Sequence, residues 1–407
     1  MHALRVALTG LVCLAVAMGL GRFAFTPILP MMLHDGVVDL REASWLASGN
    51  YLGYLLGALA CALQPWLWAR WPRAPLPRFS SLIRTGLLAT ALLTLGMALH
   101  LPMAWGALRV AAGLASALVF VYTSGWCLSQ LTRMGRPAWG AAIYAGPGAG
   151  IVVSGLAASA MVAQGWTSEQ AWLCMAVLAG VGTLAAWPVL ASRESDTERL
   201  AASAPAHATG QPSAHGRVEQ GLLVFGYGLA GFGYIISATF LPVIARSALP
   251  GSVWLDLFWP LFGLGVMVGA LLSTAISPST DRRLLLVRGY LVQAAGIGIG
   301  LWSPSVPGFM LGSFLLGLPF TAISFFAMQE ARRVKGGTAA SFMGLLTATY
   351  GLGQVLGPLL VAELLRHTTP ARGFDLALGI AALSLLLGAG LFGWMKRRYP
   401  GTAADPL

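Results

Sequence analysis

The sequence predicts an all-α membrane protein of twelve transmembrane helices arranged as two pseudo-symmetric six-helix halves. Three observations predict it. The chain of 407 residues is 57% hydrophobic and only 10% charged, with a mean hydropathy of +0.74, whereas roughly a quarter of the residues in a soluble domain are charged. Apolar runs of about 20 residues, the length that crosses a hydrocarbon core, recur twelve times along the chain. The second six then repeat features of the first six at a nearly constant offset.

The predicted helices run near 4–33, 43–69, 80–99, 102–131, 137–163, 169–191, 220–246, 252–277, 283–302, 306–331, 337–365 and 373–395. Ser192 to Glu219 is rich in Ala, Ser, Pro and charge, so it cannot bury a core and reads as a linker. It divides the chain into an N-terminal half at 1–191, a cytoplasmic linker at 192–219, and a C-terminal half at 220–407 with a short cytoplasmic tail. Ala15-Val16-Ala17 resembles a signal-peptidase site. The apolar run continues beyond it and the repeat uses the whole segment, so the first helix is expected to be retained.

A net charge of +11 raises the question of nucleic acid. The basic residues instead lie in short clusters between apolar runs, the pattern that orients a polytopic membrane protein. With both termini cytoplasmic, 19 of the 25 Lys and Arg fall at cytoplasmic ends, which fixes an even helix count. Of the other six, Arg41, Arg246, Arg366 and Arg372 fall at outer ends, and only Arg22 and Arg109 lie within helices. Cys13, Cys61, Cys127 and Cys174 each sit in an apolar run without a C-x-x-C pair, and read as packing thiols. Met31, Met32 and His34 lack the second Met/His cluster that a copper site requires. No metal, cofactor or nucleic-acid partner is expected. No paired carboxylates or triad occur in the helices, so an enzyme is not expected either.

Sliding the second half back by 212 positions places Gly231, Gly233, Tyr234 and Pro242 on Gly19, Gly21, Arg22 and Pro30. Trp254-Leu255 matches Trp45-Leu46, Gly357-Pro358 matches Gly146-Pro147, and Ser313-x-x-x-Gly317 matches Arg109-x-x-x-Gly113. Matched helices run in the same direction when each half has six, so the repeat is parallel, about an axis along the membrane normal.

Gly19-x-Gly21-Arg22-Phe23-Ala24-x-Thr26-Pro27-x-Leu29-Pro30 resembles the signature of the YbfB/YjiJ family of the major facilitator superfamily (MFS). Ala47-Ser48-Gly49-Asn50-Tyr51-Leu52-Gly53-Tyr54, the Gly231 to Pro242 stretch, and Gly351-Leu352-Gly353-Gln354-Val355-Leu356-Gly357-Pro358 are similar to it as well. The resemblance covers nearly the whole chain apart from the linker. It implies the MFS fold, a multi-pass location in a bacterial inner membrane, and transport by alternating access with a cavity between the halves. The helix-4 stretch from Arg109 to Gly113 resembles the superfamily's arginine motif, associated with proton coupling. Gly146-Pro147-Gly148-Ala149-Gly150 is similar to the glycine-proline motif common in antiporters, although Ile151 stands where a second glycine is usual. The usual Gly-x-x-x-Asp-Arg loop after helix 2 is missing, with a remnant at Asp281-Arg282-Arg283. The departures weaken drug/proton antiport, the helix-5 run still favours efflux by antiport, and the resemblance implies little about the substrate, which is expected to be a small organic solute, anionic if the arginines bind it. The expected partners are that solute, a coupling ion and the bilayer, with the monomer as the working unit.

Charges inside a membrane default to a functional reading. At 1.5 Å per residue Arg22 and Arg109 fall within a few ångströms of one depth, and no Asp or Glu is predicted near it. Two readings stand. The pair binds a carboxylate or phosphate, which a guanidinium matches with two hydrogen bonds, or each arginine braces carbonyls freed by Gly and Pro. Asn50, Tyr54, Tyr122, Tyr234, Tyr350 and Gln354 are the further candidates for substrate contact or coupling, with Tyr144, Tyr227, Thr321 and Ser324 at similar depths. Inter-helix bonding is the alternative for each. Gly19, Gly21, Pro27, Pro30, Gly146, Pro147, Gly357 and Pro358 are expected to shape helices, and Asp281 and Glu330, the latter beside Arg332 and Arg333, to gate. Two rival functions remain: a polyspecific exporter of hydrophobic or cationic drugs, and a non-transporting sensor or assembly factor.

Overall fold

The structure, a computed structural model, describes residues 2–70, 78–99, 101–192, 216–252, 254–277, 280–335 and 339–399. The body of the predicted linker and the proline-rich loop after helix 2 lie outside them. Among the described residues twelve helices are long and apolar enough to span a membrane. They are α1 Ala3–His34, α2 Leu40–Gln64, α3 Phe79–Gly96, α4 Pro102–Arg133, α5 Ala142–Ala163, α6 Ser168–Leu190, α7 Arg217–Ala248, α8 Leu255–Thr274, α9 Arg282–Trp302, α10 Val306–Lys335, α11 Phe342–His367 and α12 Pro370–Arg398. Large apolar side chains such as Leu184, Val181, Leu387 and Trp302 are exposed. A molecule in water does not present so much apolar surface, and a bilayer covers it. The chain is a multi-pass membrane protein.

The predicted fifth helix opens as a 3-10 helix, Pro137–Ala145, before its α-helix Gly146–Ala163, and two other helices predicted as continuous are broken. In α1 an α-helical segment Ala3–Leu14 passes into a π-helical turn Ala15–Leu20 and resumes as α-helix at Phe25–His34. The wide turn is visible in the bonds Gly21 N–H to Val16 O at 2.8 Å and Phe23 N–H to Met18 O at 2.9 Å. Pro27 causes the second half of the break. It has no N–H to give to the carbonyl of Phe23 or of Arg22, and the Thr26 N–H turns to Phe23 O instead, at 3.2 Å. The Arg22 carbonyl is thereby released from the helix. In α10 the segments Val306–Gly317 and Phe320–Lys335 are separated at Pro319, for the same reason.

In the first half α4 packs on α2 and α3, α3 on α6, and α1 on α4 and α5; in the second, α7 packs on α11 and α12, α9 on α12, and α10 on α8 and α9. Among the described residues the halves join most extensively through α2 with α11, α5 with α8, and α1 with α7. Backbone contact makes glycine necessary both within the first half and across one of these seams. A Cβ on Gly19 would strike the backbone of Gly150 in α5, and one on Gly148 would lie 2.6 Å from the carbonyl of Gly263 across the α5/α8 seam. The repeat partner Gly231 lies against the backbone of Tyr350 in α11, so α1 on α5 is echoed by α7 on α11.

The halves are hydrogen-bonded to each other on the side of Arg22 nearer the α1/α2 connection. Thr26 Oγ1 donates to Ala238 O at 2.9 Å, Ser48 Oγ to Val355 O at 3.1 Å, and Tyr51 Oη pairs with Thr239 Oγ1 at 2.8 Å.

Candidate functional site

Arg22 occupies the break in α1, where the chain leaves the helix between two glycine- and proline-directed turns. Its side chain is directed to the seam between the halves and is only 2% exposed. The guanidinium carbon lies 4.0 Å from the ring centroid of Tyr54, 5.0 Å from Tyr51 and 5.2 Å from Phe23. Each such contact is worth about 0.5–2 kcal/mol, the upper end when desolvated, and none supplies a formal counter-charge. Its Nη2 donates to Oε1 of Gln354 in α11 at 2.7 Å, while Nε has no partner among the described residues. The fixed positive charge is thus held by a neutral amide and ring faces, an arrangement that leaves it available to an anion.

Gln354 passes the link on. Its Nε2 donates to the hydroxyl of Tyr234 in α7, so one hydrogen-bonded chain runs from α1 through α11 to α7. Tyr234 begins a stack of near-parallel rings: Tyr350 at 5.9 Å and 20°, then Tyr227 at 4.6 Å and 24° from Tyr350. Tyr227 Oη donates to Ser324 Oγ at 2.9 Å. Phe320, just after the break in α10, meets Tyr234 edge-on at 4.9 Å and Phe23 at 6.0 Å. Tyr54 and Tyr350 are half-buried, while Tyr227 and Tyr234 are buried.

Arg109 is at the same level, and its environment differs. Its Nη2 donates to the released Arg22 carbonyl at 3.3 Å, and its guanidinium lies 4.7 Å from the Phe25 ring centroid. Asn50 Nδ2 donates to the Arg109 carbonyl at 2.9 Å and joins α2 to α4. Tyr122 stands apart, toward the other end of the bundle, with its hydroxyl on Gln64 Oε1 at 3.2 Å and its ring on Phe79. Of the eight predicted contact residues, Arg22, Tyr54, Tyr234, Tyr350 and Gln354 form one cluster between the halves. Arg109 touches it through the backbone, Asn50 lies behind Arg109, and Tyr122 is elsewhere.

The residues expected to shape helices are placed as follows. Gly21 faces Thr90 of α3, Gly146 lets α5 start against the Leu11 carbonyl of α1, and Pro147 lies in the first turn of α5's regular segment. Gly357 faces Ile235 of α7, and Pro30 and Pro358 are buried inside α1 and α11. Asp281 caps α9, accepting from the Arg283 N–H at 2.9 Å. Glu330 bonds Arg333 at 2.7 Å and lies 3.5 Å from Arg283. Arg332 does not share this contact because two positions along a helix point to different faces, whereas three positions share one. Glu219 completes the cluster, 3.2 Å from Arg333 and 3.8 Å from Arg283. Every member belongs to the second half. Glu219 falls in the predicted linker, but α7 begins at Arg217 and the residue is buried, in a first turn whose neighbours Arg217 and Val218 are exposed.

Sequence reasoning passed over Tyr51, Phe320 and Glu219, and read Arg283 only as part of a loop-motif remnant. Tyr51 carried a signal, being three positions from Tyr54 and so on its helix face. Phe320 carried another, following the proline that breaks α10. Arg283 carried a third, as the end of the Asp281-Arg282-Arg283 remnant, but nothing local showed that it would meet Glu219 and Glu330.

The chain is similar to known proteins over nearly all its length. The family described as "Uncharacterised MFS-type transporter YbfB" matches residues 14–392. A chloramphenicol resistance protein of Streptomyces lividans is 26% identical over 387 residues, covering 92% of each chain. Two crystal structures of the nucleoside transporter NupG share the fold. A point mutant of that transporter has a TM-score of 0.69 at 13% identity, over 96% of this chain and 99% of that one. The other structure has a TM-score of 0.65 at 14% identity, over 97% and 99%.

Proposed function

Because the chain belongs to the family of YbfB-like MFS-type transporters, we propose that it moves a small organic anion by alternating access, with Arg22 as the anchor. The carrying observation is a buried guanidinium between the halves whose side-chain hydrogen-bond acceptor is a neutral amide. Burying an uncompensated charge is expensive, and an anion entering between the halves offsets that cost while replacing the Gln354 carbonyl. Rocking of the halves then exposes the occupied site on alternate sides of the membrane. Efflux by exchange is the favoured direction, supported by the antiporter-like run Gly146 to Gly150. An inner-membrane location with cytoplasmic termini is supported by the distribution of basic residues.

The test is flux of an organic-anion panel in proteoliposomes. Arg22→Ala is expected to abolish uptake of the cognate anion. Arg22→Lys, which loses the fork geometry, is expected to weaken it at least about tenfold, the equivalent of one charge-assisted hydrogen bond. Normal flux in both variants overturns the anchoring role.

A second reading is favoured by the similarity to a chloramphenicol resistance protein and by the aromatic lining of the seam. In it the chain is a polyspecific exporter of hydrophobic compounds. Broad shifts in drug sensitivity on overexpression, unchanged in pattern by Arg22 substitutions that preserve protein yield, would support it over anion transport.

A further inference from the structure

The tyrosine stack beside Arg22 has no part in binding a charge, and it narrows the substrate. We propose that the transported anion is an aromatic monocarboxylate, with its carboxylate on Arg22 and its ring against the tyrosine faces. The inference rests on the reading of Arg22 as an anion anchor.

Three observations carry it. First, the Arg22 guanidinium has a buried, unpartnered Nε and gives Nη2 to the Gln354 carbonyl. A carboxylate has two oxygens where Gln354 presents one, and it matches the guanidinium fork. Second, one guanidinium bonds across the seam between the halves, that of Arg22. The Arg109 guanidinium, whose Nε is likewise unpartnered, is turned to the Arg22 carbonyl and the Phe25 ring inside the first half, so a second negative charge on a ligand at the seam would meet no guanidinium there. Third, Tyr234, Tyr350 and Tyr227 stack on one another with ring planes within 24° of parallel from one neighbour to the next, and the stack begins at the residue that holds Gln354. Tyr350 and Tyr54, on opposite halves, keep part of their surface open. Flat faces favour a flat ring over a puckered one of equal size through offset stacking.

The purified full chain, titrated in a ligand-induced thermal-shift assay, tests the proposal with four probes: benzoate, cyclohexanecarboxylate, benzamide and phthalate. Benzoate is expected to bind about fivefold more tightly than cyclohexanecarboxylate, the preference that stacking supplies, and more than about tenfold more tightly than uncharged benzamide. Phthalate, with its second charge, is expected to bind more weakly than benzoate. Tyr350→Leu should erase the preference for benzoate over cyclohexanecarboxylate while both still bind, and Tyr227→Leu serves if that variant does not fold. Equal binding of the two carboxylates to the parent chain, both lost in Arg22→Gln, overturns the aromatic class and leaves the anion anchor standing. Carboxylate binding that survives Arg22→Gln overturns the anchor itself. Binding by none of the four probes overturns the proposed class.

Discussion

Arg22 and Arg109 look alike in the sequence, as lone charges at one depth in neighbouring spans. Their surroundings separate them. Arg109 gives a terminal nitrogen to a carbonyl that Pro27 has freed, which makes it the closure of a break in α1. Arg109→Ala is therefore expected to lower stability by about 1–3 kcal/mol, the range for leaving a buried partner unsatisfied. A lowered midpoint of thermal unfolding in detergent would report it, and an unchanged midpoint with lost transport would assign Arg109 to the substrate instead. That an arginine sat at this depth was legible in the sequence. That its neighbour's partner would be Gln354, 332 positions away, was not, because nothing in local pattern encodes which helices meet across a seam.

At the scale of elements, the breaks decide what each helix presents. Gly19, Gly21 and Pro27 were legible as a frame that bends and packs, and a proline's missing N–H accounts for half of what the structure does there. The π-turn was not legible, since it arises where α1 presses on the Gly150 backbone of α5. Gly150→Val is expected to push the two helices apart and to cost about 1–3 kcal/mol, as overpacking does; thermal unfolding against the parent protein measures it. The charged cluster at the start of α7 and the end of α10 makes a second prediction. Glu330→Gln leaves Arg283 and Arg333 sharing Glu219, and Arg283 is buried. Breaking such a buried pair costs about 3–5 kcal/mol, so the variant should express poorly or unfold well below the parent temperature. Full stability would mean that Asp281 and Glu219 suffice.

For the whole molecule, the halves meet along α2/α11, α5/α8 and α1/α7, and movement requires that such seams open and close. Gly148→Leu places a branched side chain where Gly263 backbone now lies. Its expected effect is loss of flux with retained folding of each half, read as transport against detergent stability; normal flux would show that the α5/α8 seam tolerates separation. Orientation is also a property of the whole chain. Reporter fusions after residue 407 and in the α1/α2 connection are expected to report cytoplasmic and external locations respectively, and the reverse result would overturn the assignment from basic residues.

The twelve spans, the parallel repeat, the family resemblance and the isolation of Arg22 from any acidic residue are all carried by the linear chain. They follow from short-range quantities, the length of an apolar run and the spacing of Gly and Pro, which each segment holds alone. It took the packed molecule to bring Arg22, Gln354 and Tyr234 into one chain beside a stack of tyrosines, and to set an Arg109 nitrogen on the Arg22 carbonyl. The physical reason is that the environment of a buried charge is made by side chains from other helices. Their meeting depends on how two halves of the molecule pack, which no single stretch of the chain specifies.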